Sequence, residues 1–125
     1  MRLITTALVL LALFLAVLCG CQQKSSGEKT EKQESCVVIY INSKEYTRVA
    51  LGEDQVVEID QSNGKINKVT ITADGAFMSY STCENQNCVL QGSVTLDNYA
   101  QRALGEWIIC LPNQVTVELI EGEAE

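Results

Sequence analysis

Residues 22–35 read Gln-Gln-Lys-Ser-Ser-Gly-Glu-Lys-Thr-Glu-Lys-Gln-Glu-Ser, without a single aliphatic or aromatic side chain. Such a stretch cannot bury enough apolar surface to offset the entropy lost on ordering. It therefore divides the chain, and any core must come from the residues after it. The segment reads as a tether over 21–35 with a reach of roughly 20 Å by random-coil scaling. Behind it, about 85 residues must form one small domain over 36–121, with 122–125 as a frayed polar tail.

Ahead of the tether, Met1-Arg2 supplies a positive tip, residues 7–18 are unbroken apolar chain, and Gly20-Cys21 closes the run with small residues. This is the pattern of a secretory signal peptide over 1–20. The apolar run falls short of the roughly 20 residues that a membrane-crossing helix needs. Leu18-Cys19-Gly20-Cys21 resembles the lipobox of bacterial lipoproteins, in which the last cysteine becomes the mature N-terminus and carries a diacylglycerol thioether. Cys19 stands where Ala or Ser is commoner. A thiolate is the nucleophile suited to take the lipid, and two or more acyl chains, such as palmitate, hold a protein where one does not. The resemblance implies a protein anchored through Cys21 on the extracytoplasmic face of a bacterial cell membrane.

Cleavage before Cys21 would leave 105 residues (125 − 20) and remove only Arg2 among charged residues, taking the net charge from −7 to about −8. An acidic body lacks the basic footprint of a nucleic-acid binder, so no nucleic-acid partner is expected. It gains nothing from anionic headgroups either, which leaves contact with membrane lipid to the acyl chains. In that compartment, thiols of small domains usually end in disulfides.

From residue 36 the pattern is that of strands. Cys-Val-Val-Ile-Tyr-Ile (36–41) is β-branched and stops at Asn42-Ser43. Further strands are expected over 46–51 and 56–59. Gln-Ser-Asn-Gly (61–64) marks a hairpin, followed by the alternating 66–72, with Val69 and Ile71 on one face and Lys68, Thr70 and Thr72 on the other. Asp74-Gly75 turns the chain into 76–80. Residues 89–95 read as a strand bent at Gly92, and 95–104 as a short helical insertion with Leu96, Tyr99, Ala100, Ala103 and Leu104 on one stripe. The run Glu-Trp-Ile-Ile-Cys-Leu (106–111) is apolar enough to be the central, most buried strand. Val115, Val117 and Leu119 alternate in the last one. The expected fold is all-β: a small antiparallel barrel or sandwich of about seven short strands, with Trp107 and Tyr80 in its core.

Four cysteines lie in this domain: Cys36, Cys83, Cys88 and Cys110. A disulfide between Cys83 and Cys88 closes about six residues, worth roughly 2 kcal/mol by loop entropy, and one between Cys36 and Cys110 roughly 4 kcal/mol. Four cysteines allow three connectivities, and spacing does not choose among them. Zinc held by all four thiolates is the weaker expectation, since only one pair is close and the compartment oxidises thiols. Exchange chemistry at Cys83 or Cys88 lacks a neighbouring cation in Glu84-Asn85-Gln86-Asn87. The chain has no histidine, so no Ser-His-Asp or Cys-His arrangement can form. No catalytic residue, metal or cofactor is expected.

Several phrases occur together in order: Asn63-Gly64, Asn67-Lys68-Val69-Thr70-Ile71, Asp74-Gly75, Cys83 and Cys88 followed by Val89-Leu90-Gln91-Gly92, Gly105-Glu106, and Ile109-Cys110-Leu111-Pro112-Asn113-Gln114-Val115. Over residues 36–120 this resembles the NusG domain II family, whose motif positions here include Gly92, Leu111, Pro112 and Asn113. The family is all-β, occurring as an insertion in some NusG transcription factors and as small stand-alone proteins at the bacterial surface. Glu84-Asn85 stands where the family usually carries Pro-Asp, and 95–103 is longer than the family leads one to expect. The resemblance implies a fold and a compartment more than an activity. The expected function is a membrane-anchored surface lipoprotein with a non-catalytic module that meets an unidentified envelope protein. The alternative is a thiol-disulfide or electron-transfer accessory acting through Cys83 and Cys88.

Overall fold

The computed structural model describes residues 32–123; the expected signal peptide, Cys21 and residues 22–31 of the tether lie outside them. Eight strands form: β1 (Cys36–Ile41), β2 (Lys44–Ala50), β3 (Gln55–Asp60), β4 (Ile66–Ile71), β5 (Gly75–Ser81), β6 (Val94–Thr95), β7 (Trp107–Cys110) and β8 (Val115–Ile120). A one-turn helix, α1 (Asn87–Leu90), and a 3₁₀ turn (Tyr99–Gln101) lie between β5 and β7. No helix among the described residues is long and apolar enough to cross a membrane.

The strands make two antiparallel four-stranded sheets, one in the order β2-β1-β8-β7 and the other β3-β4-β5-β6. They share no strand. Of the two expected architectures, the sandwich is the one formed, and the closed barrel is not. Local turn chemistry sets the registers. Asn42 and Ser43 both take positive φ, 51° and 64°, and bring Ile41 opposite Lys44, the geometry a two-residue hairpin needs to match strand twist. Between β3 and β4, Asp60 Oδ1 accepts from the Ser62 N–H at 2.8 Å and Asn63 Oδ1 from the Lys65 N–H at 3.2 Å, with Gly64 at φ 83°.

Period-two alternation then sorts each strand into an inward and an outward face. Val37 and Ile39 of β1, Val115, Val117 and Leu119 of β8, and Ile108 of β7 meet Ile59, Val69, Ile71, Ala76, Met78 and Val94 of the other sheet in one core. Each large aliphatic group buried there contributes about 1.5–3 kcal/mol relative to exposure.

Four expectations are corrected. The apolar run at 106–111 yields β7, an edge strand, while β1 and β8 are the central strands of that sheet. Apolarity reports burial of faces, but place in a sheet depends on pairing, and β8 takes β7 on one side and β1 on the other. Second, 89–95 opens as helix rather than strand. Gly92, at φ 71°, stops α1 in the left-handed conformation common just beyond a helix end, and only Val94–Thr95 pair with β5. Third, the short helical insertion expected within 95–104 is present as a 3₁₀ turn, but its apolar stripe does not form, since Ala100, Ala103 and Leu104 are exposed. Arg102 holds the chain after it by donating to the carbonyls of Gly105 and Trp107. Fourth, Trp107 is half-buried beside Tyr40, ring centroids 6.2 Å apart, and Tyr80 is exposed; neither belongs to the core.

The chain at the two ends of the domain is also paired. The N–H groups of Gly122 and Glu123 donate to Ser35 Oγ at 2.9 Å and to the Gln33 carbonyl at 3.1 Å.

Gly75 allows β5 and β6 to touch, because a Cβ there would lie 1.9 Å from the Val94 carbonyl oxygen, whereas Gly52 has nothing within 4 Å. Gly75→Ala is expected to lower stability by about 1–3 kcal/mol through overpacking. Gly52→Ala should stay within about 0.5 kcal/mol of the parent. Urea midpoints of the two variants check both.

Candidate functional site

Three of the four domain cysteines converge. Cys83 follows the end of β5, Cys88 sits inside α1, and Cys110 ends β7. Their sulfurs all lie within 4.8 Å of one another, with Cys83 Sγ and Cys88 Sγ 3.5 Å apart. All three are buried, and all are free thiols.

The polar loop between Cys83 and Cys88 turns sharply because Gln86 takes a left-handed conformation, φ 53°. Its side-chain Nε2 donates back to the carbonyls of Ser81 at 2.8 Å and Cys83 at 2.6 Å. Asn85 Oδ1 accepts the Asn87 N–H at 3.1 Å. Gln91 then fastens α1 to β7. Its amide donates to the Ile109 carbonyl and accepts the Ile109 N–H, each at 2.8 Å. A side chain here occupies the place of a neighbouring strand on an exposed edge, and so seats Cys88 beside Cys110.

Beneath the thiols lies a buried polar network. Asn113 Nδ2 donates to Asn67 Oδ1 at 2.8 Å, and Asn67 Nδ2 donates to Ser81 Oγ at 3.1 Å. Ser81 Oγ also accepts the Cys83 N–H at 3.1 Å and lies 3.6 Å from Cys110 Sγ. A hydroxyl has one proton to give. That one proton faces the sulfurs gathered around it, Cys110 Sγ among them. The Gln61 side chain caps the Asn113 carbonyl at 2.8 Å. No buried side-chain nitrogen or oxygen among the described residues lacks a partner.

These bonds split the thiols electrostatically. Burial pushes Cys83 up, but hydrogen bonds to it from Ser81, Cys88, Cys110 and Gln86 outweigh that, and its pKa falls below the ordinary thiol value. Burial pushes Cys88 up to about 12. Cys83 is thus the first of the pair to ionise.

Cys36 stands apart. It pairs across β8 with Ile120, while Cys110 pairs with Val115. Five strand steps, about 17 Å at 3.3 Å per residue, separate their rows, and a disulfide spans Cα atoms no more than about 6.8 Å apart. Cys36 lies on the outer face with Arg48 Nη1 3.4 Å from its sulfur. The Cys36/Cys110 bridge and the four-thiolate zinc site are therefore excluded geometrically. Cys83 and Cys88, expected as a disulfide, lie side by side as free thiols.

Of the family-motif positions, Asn113 anchors the network, Gly92 ends α1, and Leu111 and Pro112 are exposed. A cleft of about 230 Å³ opens over Cys88 and Cys110 between Leu111-Pro112, Asn85, Asn87 and Leu104. Leu111 is 79% exposed, Leu90 77% and Leu104 40%. Gln91, Ser81 and Asn67 were not singled out from the sequence. Asn67 alone had a signal, a polar residue in phase with Val69 and Ile71 on the apolar face of its strand.

The model of the NusG domain II family matches residues 4–123. The solved structure of a DUF1312 family protein from Ruminococcus gnavus is similar at 34% identity and a TM-score of 0.54, over 68% of this chain and 96% of that one. The Lin0431 protein from Listeria innocua is 20% identical with a TM-score of 0.58 over 71% of this chain and 98% of that one. A DUF1312 family protein from Enterococcus faecalis is 15% identical with a TM-score of 0.61, covering 71% and 99%. The last two show likeness of fold alone. No curated protein matches the chain.

Asn113→Ala is expected to cost about 1–3 kcal/mol, because it strips the partner from the buried Asn67 Oδ1. Leu111→Ala, in the same turn two positions earlier but exposed, should cost far less. Chemical denaturation of the pair measures the contrast.

Proposed function

Because the chain belongs to the NusG domain II family, we propose that it is a stand-alone, lipid-anchored surface member whose domain is a non-catalytic binding module for another envelope protein. The observation that carries this reading is the apolar rim of the cleft. Leu111 and Leu104 line the cleft and stand out into solvent, and Leu90, next in sequence to the lining Gln91, is exposed as well. Covering such side chains yields about 25 cal/mol for each Å² removed from water, and exposed apolar surface rimmed by polar groups is the usual signature of a protein contact. Asn85, Asn87 and Gln91 supply that polar rim. Acyl chains on Cys21 and the polar tether would hold this end near partners at the extracytoplasmic face of the membrane.

The second reading, a thiol-disulfide accessory, draws on the 3.5 Å separation of Cys83 and Cys88 and on the lowered pKa of Cys83. Closing that pair transfers two electrons to an oxidant and releases two protons. A bridge with a potential below about −300 mV is structural, and a more easily reduced one serves exchange.

Two measurements test the first reading. Cys21→Ser should shift the intact mass by the loss of signal-peptide cleavage and acylation, and move the protein out of the membrane fraction. Unchanged fractionation sinks the anchor. A Leu90→Glu/Leu111→Glu variant, folded by circular dichroism, should lose the cross-linked envelope partner captured by the parent. Equal capture sinks the binding surface.

A further inference from the structure

A disulfide takes two sulfurs, and this cluster has three. Closing Cys83 on Cys88 would leave Cys110 beside them as a buried thiol, with the Ser81 hydroxyl 3.6 Å from its sulfur. We infer that Cys83, Cys88 and Cys110 form a three-sulfur site for a thiophilic d¹⁰ metal ion, Cu(I) or Zn(II). This does not depend on the membrane anchor or on the docking surface.

The geometry fits the ion. Metal–sulfur bonds of about 2.3 Å place sulfurs about 3.8–4.0 Å apart in tetrahedral or trigonal coordination. The cluster already holds one pair at 3.5 Å and all three within 4.8 Å, so shifts under about 1 Å complete the site. Thiolate-only donor sets select soft ions, and the chain has no histidine to draw a harder one.

The surroundings also fit. Buried thiolates need donors, and good metal sites supply them from the residues behind the ligands. The Ser81 hydroxyl lies 3.6 Å from Cys110 Sγ, and Gln86 Nε2 lies 3.9 Å from Cys83 Sγ. The cleft lined by Cys88, Cys110, Asn85 and Asn87 gives the ion a way in. On the zinc reading, it gives a fourth position for water. The ligands come from both sheets, two from the β5-α1 segment and one from β7, so the ion would clip the two sheets together.

Binding is a proton-for-metal exchange. Each S–H bond breaks as an S–metal bond forms, up to three protons pass to solvent, and no electron moves. Affinity therefore falls as pH is lowered.

The test uses the full-length protein in detergent, fully reduced and under nitrogen. Zn(II) and Cu(I) are titrated separately against chromophoric competitors for each ion. One equivalent of one of them is expected to bind, roughly tenfold or more weaker in Cys110→Ser and unchanged in Cys36→Ser. X-ray absorption on the wild-type complex should count three sulfurs at about 2.3 Å, a readout independent of how the variants fold. Failure of both ions to bind the reduced wild-type protein overturns the inference. So does a count of two sulfurs or fewer, equal binding by Cys110→Ser, or a metal-free protein isolated from cells with Cys83 and Cys88 already bridged.

Discussion

The carboxamide of Asn113 is where the two sheets are tied together. It enters from the β7–β8 turn of one sheet and bonds Asn67 of the other, which in turn holds Ser81. In an interior of low dielectric such bonds are strong, and any unpaired member costs more than the bond yields. The network therefore permits one relative placement of the two sheets at this end. Apolar packing between the inward faces supplies the bulk of the stability, but it is non-directional and tolerates sliding. The polar contacts do not.

That placement brings the thiols together. Cys110 arrives on the strand that leads into the Asn113 turn, and Cys83 follows Ser81 by two residues. Cys88 is delivered by α1, which Gln91 fixes to the backbone of β7. The same side-chain amide covers part of an edge strand that would otherwise present open hydrogen-bonding groups to any passing chain. Scaffold and site are thus one set of bonds: Ser81 is both the network's acceptor and the hydroxyl that touches the Cys110 sulfur.

The exposed Leu104 and Leu111 line the same small cleft as Cys88 and Cys110, and this links the two functional readings. A partner covering Leu111 and Leu104 would close the cleft over Cys88 and Cys110, since both leucines line it with them. Solvent access to the sulfurs would then depend on whether the rim is occupied.

What the sequence determined by itself was whatever depends on near neighbours. Alternation in 66–72 and 115–119, the Asn-Gly and Asp-Gly turns, and the boundary at Cys36 gave an all-β antiparallel domain with barrel and sandwich both open, because each reflects a period or a turn preference acting over a few residues. The order of strands was decided by tertiary pairing. Residues 106–111 looked central from their apolarity yet form an edge, and 89–95 looked like a strand until Gln86 and Gly92 took left-handed conformations. The choice among cysteines was tertiary too. Spacing left three connectivities open, one of them Cys36 with Cys110, whereas the sheet puts those two at opposite ends of β8 and on opposite faces. The pairing of β1 with β8, from Cys36↔Ile120 to Ile41↔Val115, and the faces that result are set by long-range contacts, and no local pattern in the chain encodes them.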